Sequence, residues 1–215
     1  MSKTGLLKLA AITAALTLLA IPFADRPLAE FIRASGFEGG PLFSQGTALL
    51  DLLSGKEISK FLLGTLVSGT GLTLWVSVHT WHRGVSLLFV GLTQLLSTLA
   101  CGVSKNLFGR LRPEELLASG GWDQAWWVGG NSFPSGHVGF YLGLFLPLAC
   151  LFPRWRWPLL VVPLFIALAR LGENHHFLSD TTASMAVAAL ITSGTGVALR
   201  RLPTISPLPG SKEIE

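Results

Sequence analysis

Six apolar runs leave this chain few ways to fold. They cover roughly residues 6–23, 61–79, 84–104, 138–152, 157–171 and 181–199. A helix needs about 20 apolar residues to cross the hydrocarbon of a bilayer, within a range of about 17–25. Only 13% of the 215 residues are charged while half are hydrophobic, about half the charge of a soluble domain. The runs therefore predict an all-α fold: one integral membrane domain over 1–215, a bundle of six transmembrane helices. The fourth and fifth runs are short unless their helices extend into residues 134–137 and Arg170. That extension would draw polar groups to the membrane boundary.

The first run starts with Lys3 and Lys8, as a signal sequence would. Ile21-Pro22-Phe23 stands where small residues would mark cleavage, so we read a retained anchor. With six spans and both ends in the cytoplasm, the inner segments hold Lys3, Lys8, Arg83, Arg154, Arg156, Arg200, Arg201 and Lys212. Outside the polar clusters described next, the outer segments hold only Arg26, Arg33, Lys56 and Lys60. This is the positive-inside pattern. Between the first two runs, residues 25–60 carry apolar residues at near-helical spacing (Leu28, Phe31, Ile32; Leu49, Leu50, Leu52, Leu53), broken by Gly36, Gly39, Gly40 and Pro41. They predict two short amphipathic helices on the outer surface. Residues 203–215 read as a disordered tail.

Charged groups at a membrane edge are costly to desolvate and by default mark function. Three clusters hold them: 105–113 (KNLFGRLRP), 134–137 (PSGH) and 170–180 (RLGENHHFLSD). All three fall on the outer side in this orientation. His176 and Asp180 are four apart, so a helix would place them on one face. A carboxylate beside an imidazole fixes its tautomer and stabilises positive charge on the ring. Arg170 precedes His176 by six residues, and Gly172 offers a break between them. Lys105 and Arg112 are seven apart, and one helix ended by Pro113 would turn both the same way, about 10 Å apart. Two such cations suit a phosphate. Arg110 would point about 140° away from Lys105 and reads as a surface residue. Pro134 reads as the first residue of a helix whose early amides, at Ser135 and Gly136, form an anion site. The Ser135 hydroxyl and His137 stand beside them. His175 would point about 100° from His176 and reads as a supporting or surface residue.

The clusters resemble the tripartite signature of the type 2 phosphatidic acid phosphatase family: K-x6-R-P, P-S-G-H and S-R-x5-H-x3-D. Here these are Lys105…Arg112-Pro113, Pro134-Ser135-Gly136-His137 and Arg170…His176…Asp180, with Ala169 in place of the signature serine. The resemblance implies a metal-free lipid phosphohydrolase with no cofactor. His176 would attack phosphorus and become a phosphohistidine, and Asp180 would orient it. His137 would protonate the leaving group, while Lys105, Arg112, Arg170, Ser135 and Gly136 hold the phosphoryl oxygens. Its substrate would be a lipid phosphate or diphosphate of the undecaprenyl diphosphate, phosphatidylglycerol phosphate, phosphatidic acid or lipid A type, reached from the bilayer.

Rival readings are a phosphotransferase with the same pocket, a non-enzymatic phospholipid carrier, and a zinc enzyme using His137, His175, His176 and Asp180. Against zinc stand the absence of H-E-x-x-H or paired-Cys spacing and the nearby cations. Cys101 and Cys150 lie within apolar runs and read as packing residues. No Lys/Arg run or basic, aromatic-interleaved patch points to nucleic acid. Trp122, Trp126 and Trp127 lie between the first two clusters, as interfacial anchors or as a gate for lipid.

Overall fold

The computed structural model describes residues 2–37, 39–77 and 79–200. The tail read as disordered lies outside them. Among the described residues the chain is helical throughout, with no strand. The helices are α1 (Lys3–Phe23), α2 (Asp25–Ala34), α3 (Gly40–Leu53), α4 (Leu62–Trp75), α5 (Trp81–Phe108), α6 (Pro113–Ser119), α7 (Gly136–Leu151), α8 (Arg156–Gly172) and α9 (Leu178–Leu199).

Four stretches are long and apolar enough to cross a bilayer: Lys3–Phe23, Trp81–Ser119, Pro153–Gly172 and Leu178–Leu199. The second and fourth sequence runs form shorter apolar helices. α4 has 14 residues and α7 has 16, or about 21 and 24 Å at 1.5 Å per residue. The expected extension occurs: α7 takes in Gly136 and His137, and α8 takes in Arg170. The two amphipathic helices predicted between the first two runs are α2 and α3. The short α6 was not foreseen.

Lipid tails are as apolar as leucine, so close packing rather than escape from water holds such helices together. α4 and α5 show how. Gly71 of α4 faces Gly84 and Leu88 of α5, and a β-carbon on it would lie 2.7 Å from the Leu88 amide nitrogen. The helices meet backbone to backbone because no side chain stands between them. α7 fills the middle of the bundle. Its Val138, Phe140, Tyr141 and Leu142 are buried against Ile166 and Ala167 of α8 and Ala188 of α9. α1 lies along α9, joined by a 2.8 Å hydrogen bond between the Thr17 and Thr182 hydroxyls. The outer flanks of the bundle carry exposed Leu16, Leu18, Leu19, Leu99, Val103, Val161, Leu164 and Leu190. A continuous apolar exterior of this kind faces membrane rather than water.

The antiparallel order brings the C-termini of α5 and α8 and the N-termini of α7 and α9 to one end. The three polar clusters therefore converge there, beside α2, α3 and α6. Lys3, Trp81 and Arg200 meet at the other end, around a cavity of about 400 Å³. The three clusters sit at the opposite end from that cavity.

Candidate active site

α5 ends at Phe108 with Gly109 in the left-handed conformation (φ 51°). This turn overturns three expectations. Lys105 and Arg112 do not share a helix: Lys105 is in the last turn of α5, and Arg112 precedes α6. Pro113 begins α6 rather than ending α5, its missing N–H costing nothing at a first helical position. Arg110, expected at the surface, points inward and is only 4% exposed. A helical wheel fails past residue 108 because the chain there is no longer a helix. It is stitched instead to the loop before α7, by Leu111 N–H to Ala125 O (2.9 Å) and Ser132 N–H to Arg110 O (2.8 Å).

Arg110 bridges two carboxylates. Its Nη1 donates to Asp180 Oδ1 (2.8 Å) and to the Ser179 hydroxyl (2.7 Å), and its Nη2 donates to Asp25 Oδ2 (2.7 Å). The guanidinium lies between the rings of Phe177 (3.9 Å) and Trp126 (4.4 Å). Asp25, from α2, also accepts the Ser179 amide at 3.0 Å and the Ser179 hydroxyl. Trp126 thus packs the site, and Trp122 rests on Phe177. Trp127 remains exposed.

Asp180 has a full set of donors. Besides Arg110, its Oδ2 accepts Ser132 Oγ (2.5 Å) and the Phe177 amide (2.8 Å). A carboxylate with donors on both oxygens is held ionised and cannot rotate. His176 stands against it, Nδ1 to Oδ2 at 3.4 Å. His176 precedes α9 rather than lying on it, so the pairing comes from the N-terminal turn of α9, not from a shared helix face. The ring is 4% exposed, with Nδ1 enclosed. That leaves Nε2 as the nitrogen able to meet a substrate. Burial pushes His176 down to about 4; Asp180 opposes the shift, and the charges of Lys105 and His137 add to it. That shift favours the neutral imidazole near pH 7.

α7 starts at Gly136 with Ser135 as its cap, two residues later than the expected start at Pro134. The Ser135 amide donates to Asp180 O (3.1 Å), and Ser184 Oγ bonds the carbonyls of Ser135 (2.8 Å) and Asp180 (2.9 Å). These bonds join the two helix N-termini. The Ser135 hydroxyl is buried without a partner, a costly state unless something fills it. Gly136 lets Lys105 approach: a β-carbon there would lie 3.4 Å from Lys105 Cε. The Lys105 ammonium donates to Asn131 O and forms no ion pair among the described residues.

Arg170 bonds Glu173 (2.8 Å) and the ring of His175 (3.3 Å), while Arg112 lies 3.3 Å from Glu114. His175 sits among Glu173, Glu114 and Arg170 rather than in the pocket, a supporting place as expected. Among the described residues no three His, Cys, Asp or Glu side chains are arranged to ligate a metal.

A second histidine pair was missed. Asp51 of α3 lies 3.0 Å from His137 Nε2, and also accepts Tyr141 Oη (2.7 Å) and Lys56 Nζ (2.6 Å). Asp25, Asp51 and Lys56 left no signal in the sequence, since the partners of both carboxylates include residues about 85 positions or more away.

Together these elements define a helical membrane protein with a cluster of cations and two histidines at one end. Residues 86–201, just over half of the chain, match the PAP2 superfamily, and the chain belongs to that superfamily. It is 30% identical over 112 residues to the lipid A 1-phosphatase of Rhizobium johnstonii. That similarity covers 51% of this chain and 46% of the relative, so less than half of the relative's length is matched. No solved structure matches the chain.

Proposed function

We propose that this protein is a metal-independent membrane phosphatase that hydrolyses a lipid phosphate through a phosphohistidine on His176. The observation that carries the reading is the state of His176. It is buried, with Nδ1 3.4 Å from Oδ2 of an aspartate that Arg110, Ser132 and the Phe177 amide hold in place, and burial favours its neutral form. In this reading the Nε2 lone pair attacks phosphorus as the bond to the leaving oxygen breaks. His137 gives that oxygen a proton. Asp180 stabilises the positive charge that the imidazole gains. His137, now neutral, takes a proton from water, which attacks phosphorus; the P–N bond breaks and inorganic phosphate leaves. Lys105, Arg112, Arg170, the Ser135 hydroxyl and the Gly136 amide hold the three phosphoryl oxygens, since phosphoryl transfer is mostly positioning and electrostatics.

In this reading the chain crosses six times and the site lies outside. The far end of the bundle gathers Lys3, Arg83, Arg154, Arg156 and Arg200, and positive segments stay in the cytoplasm. The site end then faces the periplasm or exterior of a bacterial inner membrane. Among the lipid phosphates considered above, the named relative favours a lipid A 1-phosphate. Purified protein in detergent with excess chelator should release inorganic phosphate from lipid A, and His176→Ala should not. Activity lost to chelator, or kept by His176→Ala, would overturn the reading. Transfer of the phosphate to another lipid instead of to water would mark a phosphotransferase.

A further inference from the structure

His137 has a partner that the superfamily match does not contain. The matched region begins at residue 86, whereas Asp51 lies in the last turn of α3. Within the matched region Asp180 serves His176, which leaves His137 to a residue supplied from outside it. We propose that Asp51 is the positioning residue of the leaving-group acid, holding His137 by Nε2 so that Nδ1 presents the proton. The inference rests on His137 acting as that acid.

The geometry restricts His137 to one useful form. A carboxylate accepts but does not donate, so the 3.0 Å contact requires a proton on Nε2. The second proton of the charged ring is then on Nδ1, for which no hydrogen bond exists among the described residues. That proton is the one free to leave. Asp51 is itself fixed: Tyr141, on the same helix as His137 and one turn along, donates to its other oxygen. The two oxygens therefore hold separate positions on α7, and the carboxylate cannot turn away from the ring. Burial pushes Asp51 up, but the hydrogen bonds from His137, Lys56 and Tyr141 outweigh it and hold the carboxyl well below the usual range. It remains an anion wherever the enzyme works.

An anion near a phosphate site would repel the substrate. Lys56 answers this: its ammonium sits 2.6 Å from Asp51 Oδ2 and neutralises the charge. The Lys56 amide also bonds the Asp51 carbonyl at 2.9 Å, so the pair is built into the turn after α3. Asp51 can thus support a positive imidazole at short range while adding little repulsion further out.

The alternative is that Asp51 only fastens α3 to the bundle. The two roles separate by leaving group. A sugar hydroxyl needs a proton to depart, whereas p-nitrophenolate does not. The rate constant to follow is kcat/KM, which reports steps up to departure of that group. Asp51→Asn should lower kcat/KM about 10–100-fold on lipid A and less than about threefold on p-nitrophenyl phosphate, a fraction of the roughly 100–10,000-fold that a general acid contributes. Asp51→Glu, which keeps a carboxylate, should recover part of the loss on lipid A. Equal losses on both substrates, or no loss on either, would overturn the proposal. The aryl substrate also serves as the check that the variant folds. His137→Ala separates this inference from the reading beneath it. If His137→Ala shows no preference between leaving groups, His137 is not the acid and both readings fall. If His137→Ala discriminates and Asp51→Asn does not, only the role of Asp51 falls.

Discussion

Replacing Arg110 with methionine tests the buried charge network more directly than any change at the reacting histidine. The side chain keeps its bulk between Phe177 and Trp126 but loses the guanidinium. Two carboxylates, 3% exposed at Asp25 and 0% at Asp180, would then each lose a charge-assisted bond, at 2.7 and 2.8 Å, and the Ser179 hydroxyl would lose a donor. Removing one partner of a buried ion pair costs about 3–5 kcal/mol, because the other charge stays buried and unpaired. For a chain of this size each kcal/mol is about 2–4 °C, so the melting temperature should fall by roughly 6–20 °C. The assay is thermal unfolding in detergent followed by tryptophan fluorescence, run as a double-mutant cycle with Asp25→Asn. In the parent, Asp25→Asn loses a paired charge and destabilises. In the methionine background it removes a stranded charge and should cost much less, giving a coupling of about 1–3 kcal/mol. Activity should fall too, since Asp180 loses the donor on Oδ1. A drop below about 1 kcal/mol for Arg110→Met, or equal costs of Asp25→Asn in both backgrounds, would refute the assignment of Arg110 as the keystone of this network.

Other expectations are as direct. With substrate ionisation divided out, the acid limb of kcat/KM should lie near pH 4, where His176 gains its proton, rather than near the ordinary imidazole value of about 6.5; a limb at 6 or above would contradict the buried, neutral ring. The same shift has a stability consequence. The unfolded chain takes a proton that folded His176 refuses, so stability is full above about pH 6.5 and falls as pH drops toward 4; a flat unfolding profile over that range would count against it. Ser135→Ala removes a hydroxyl with no partner in the resting protein, so melting should not fall, yet vanadate inhibition should weaken about 10-fold or more, the worth of a hydrogen bond to an anion. Asp180→Asn should lower kcat by about 100-fold or more while KM changes little, read by steady-state kinetics on lipid A.

The sequence was most informative where function depends on residues close together along the chain. Gly136, His137 and Ser135 sit at the start of α7 as their pattern implied, and the amphipathic stretches after the first run became α2 and α3. Arg110 shows where such reasoning stops. Its orientation was projected along a helix, and a single glycine in the left-handed conformation (φ 51°) turned the chain and sent the side chain inward. The His176–Asp180 pair formed as its spacing implied but by another route. Asp180 reaches back past the helix start to accept the Phe177 amide, so four residues of separation describe a capped turn here, not a helix face. The length of α4 was overestimated, 61–79 against Leu62–Trp75, because hydropathy counts apolar residues whether or not they are helical. Asp25 and Asp51 were illegible for a different reason: an acidic residue on an amphipathic helix reads as a solvated face until the fold brings its partner to it.

Those two aspartates give the outer helices their place in the site. α2 supplies Asp25 to the His176 side, where Arg110 joins it to Asp180 and so to His176. α3 supplies Asp51 to the other side, in direct contact with His137. Each carboxylate is matched by a cation, Arg110 or Lys56, so neither takes charge away from the phosphate pocket. Among the described residues Lys105 forms no ion pair, while Arg112 and Arg170 pair with Glu114 and Glu173. In the proposed mechanism Lys105 thus brings an unpaired charge to the phosphoryl oxygens. α3 also carries Leu49, Leu52 and Leu53 exposed on its outer side, suited to the membrane interface. A helix that rests in that interface and holds the acid by a single carboxylate ties proton delivery to the protein's seat in the bilayer. Moving α3 out of register by one residue would break the Asp51–His137 contact without touching any residue of the matched superfamily region. Inserting one alanine between Glu57 and Ile58 leaves both that register and the Asp51–Lys56 pair intact and should be tolerated, whereas inserting it between Leu49 and Leu50 rotates Asp51 by about 100°. The second insertion should slow lipid A turnover far more than turnover of p-nitrophenyl phosphate. Equal effects of the two insertions would show that α3 holds only the fold.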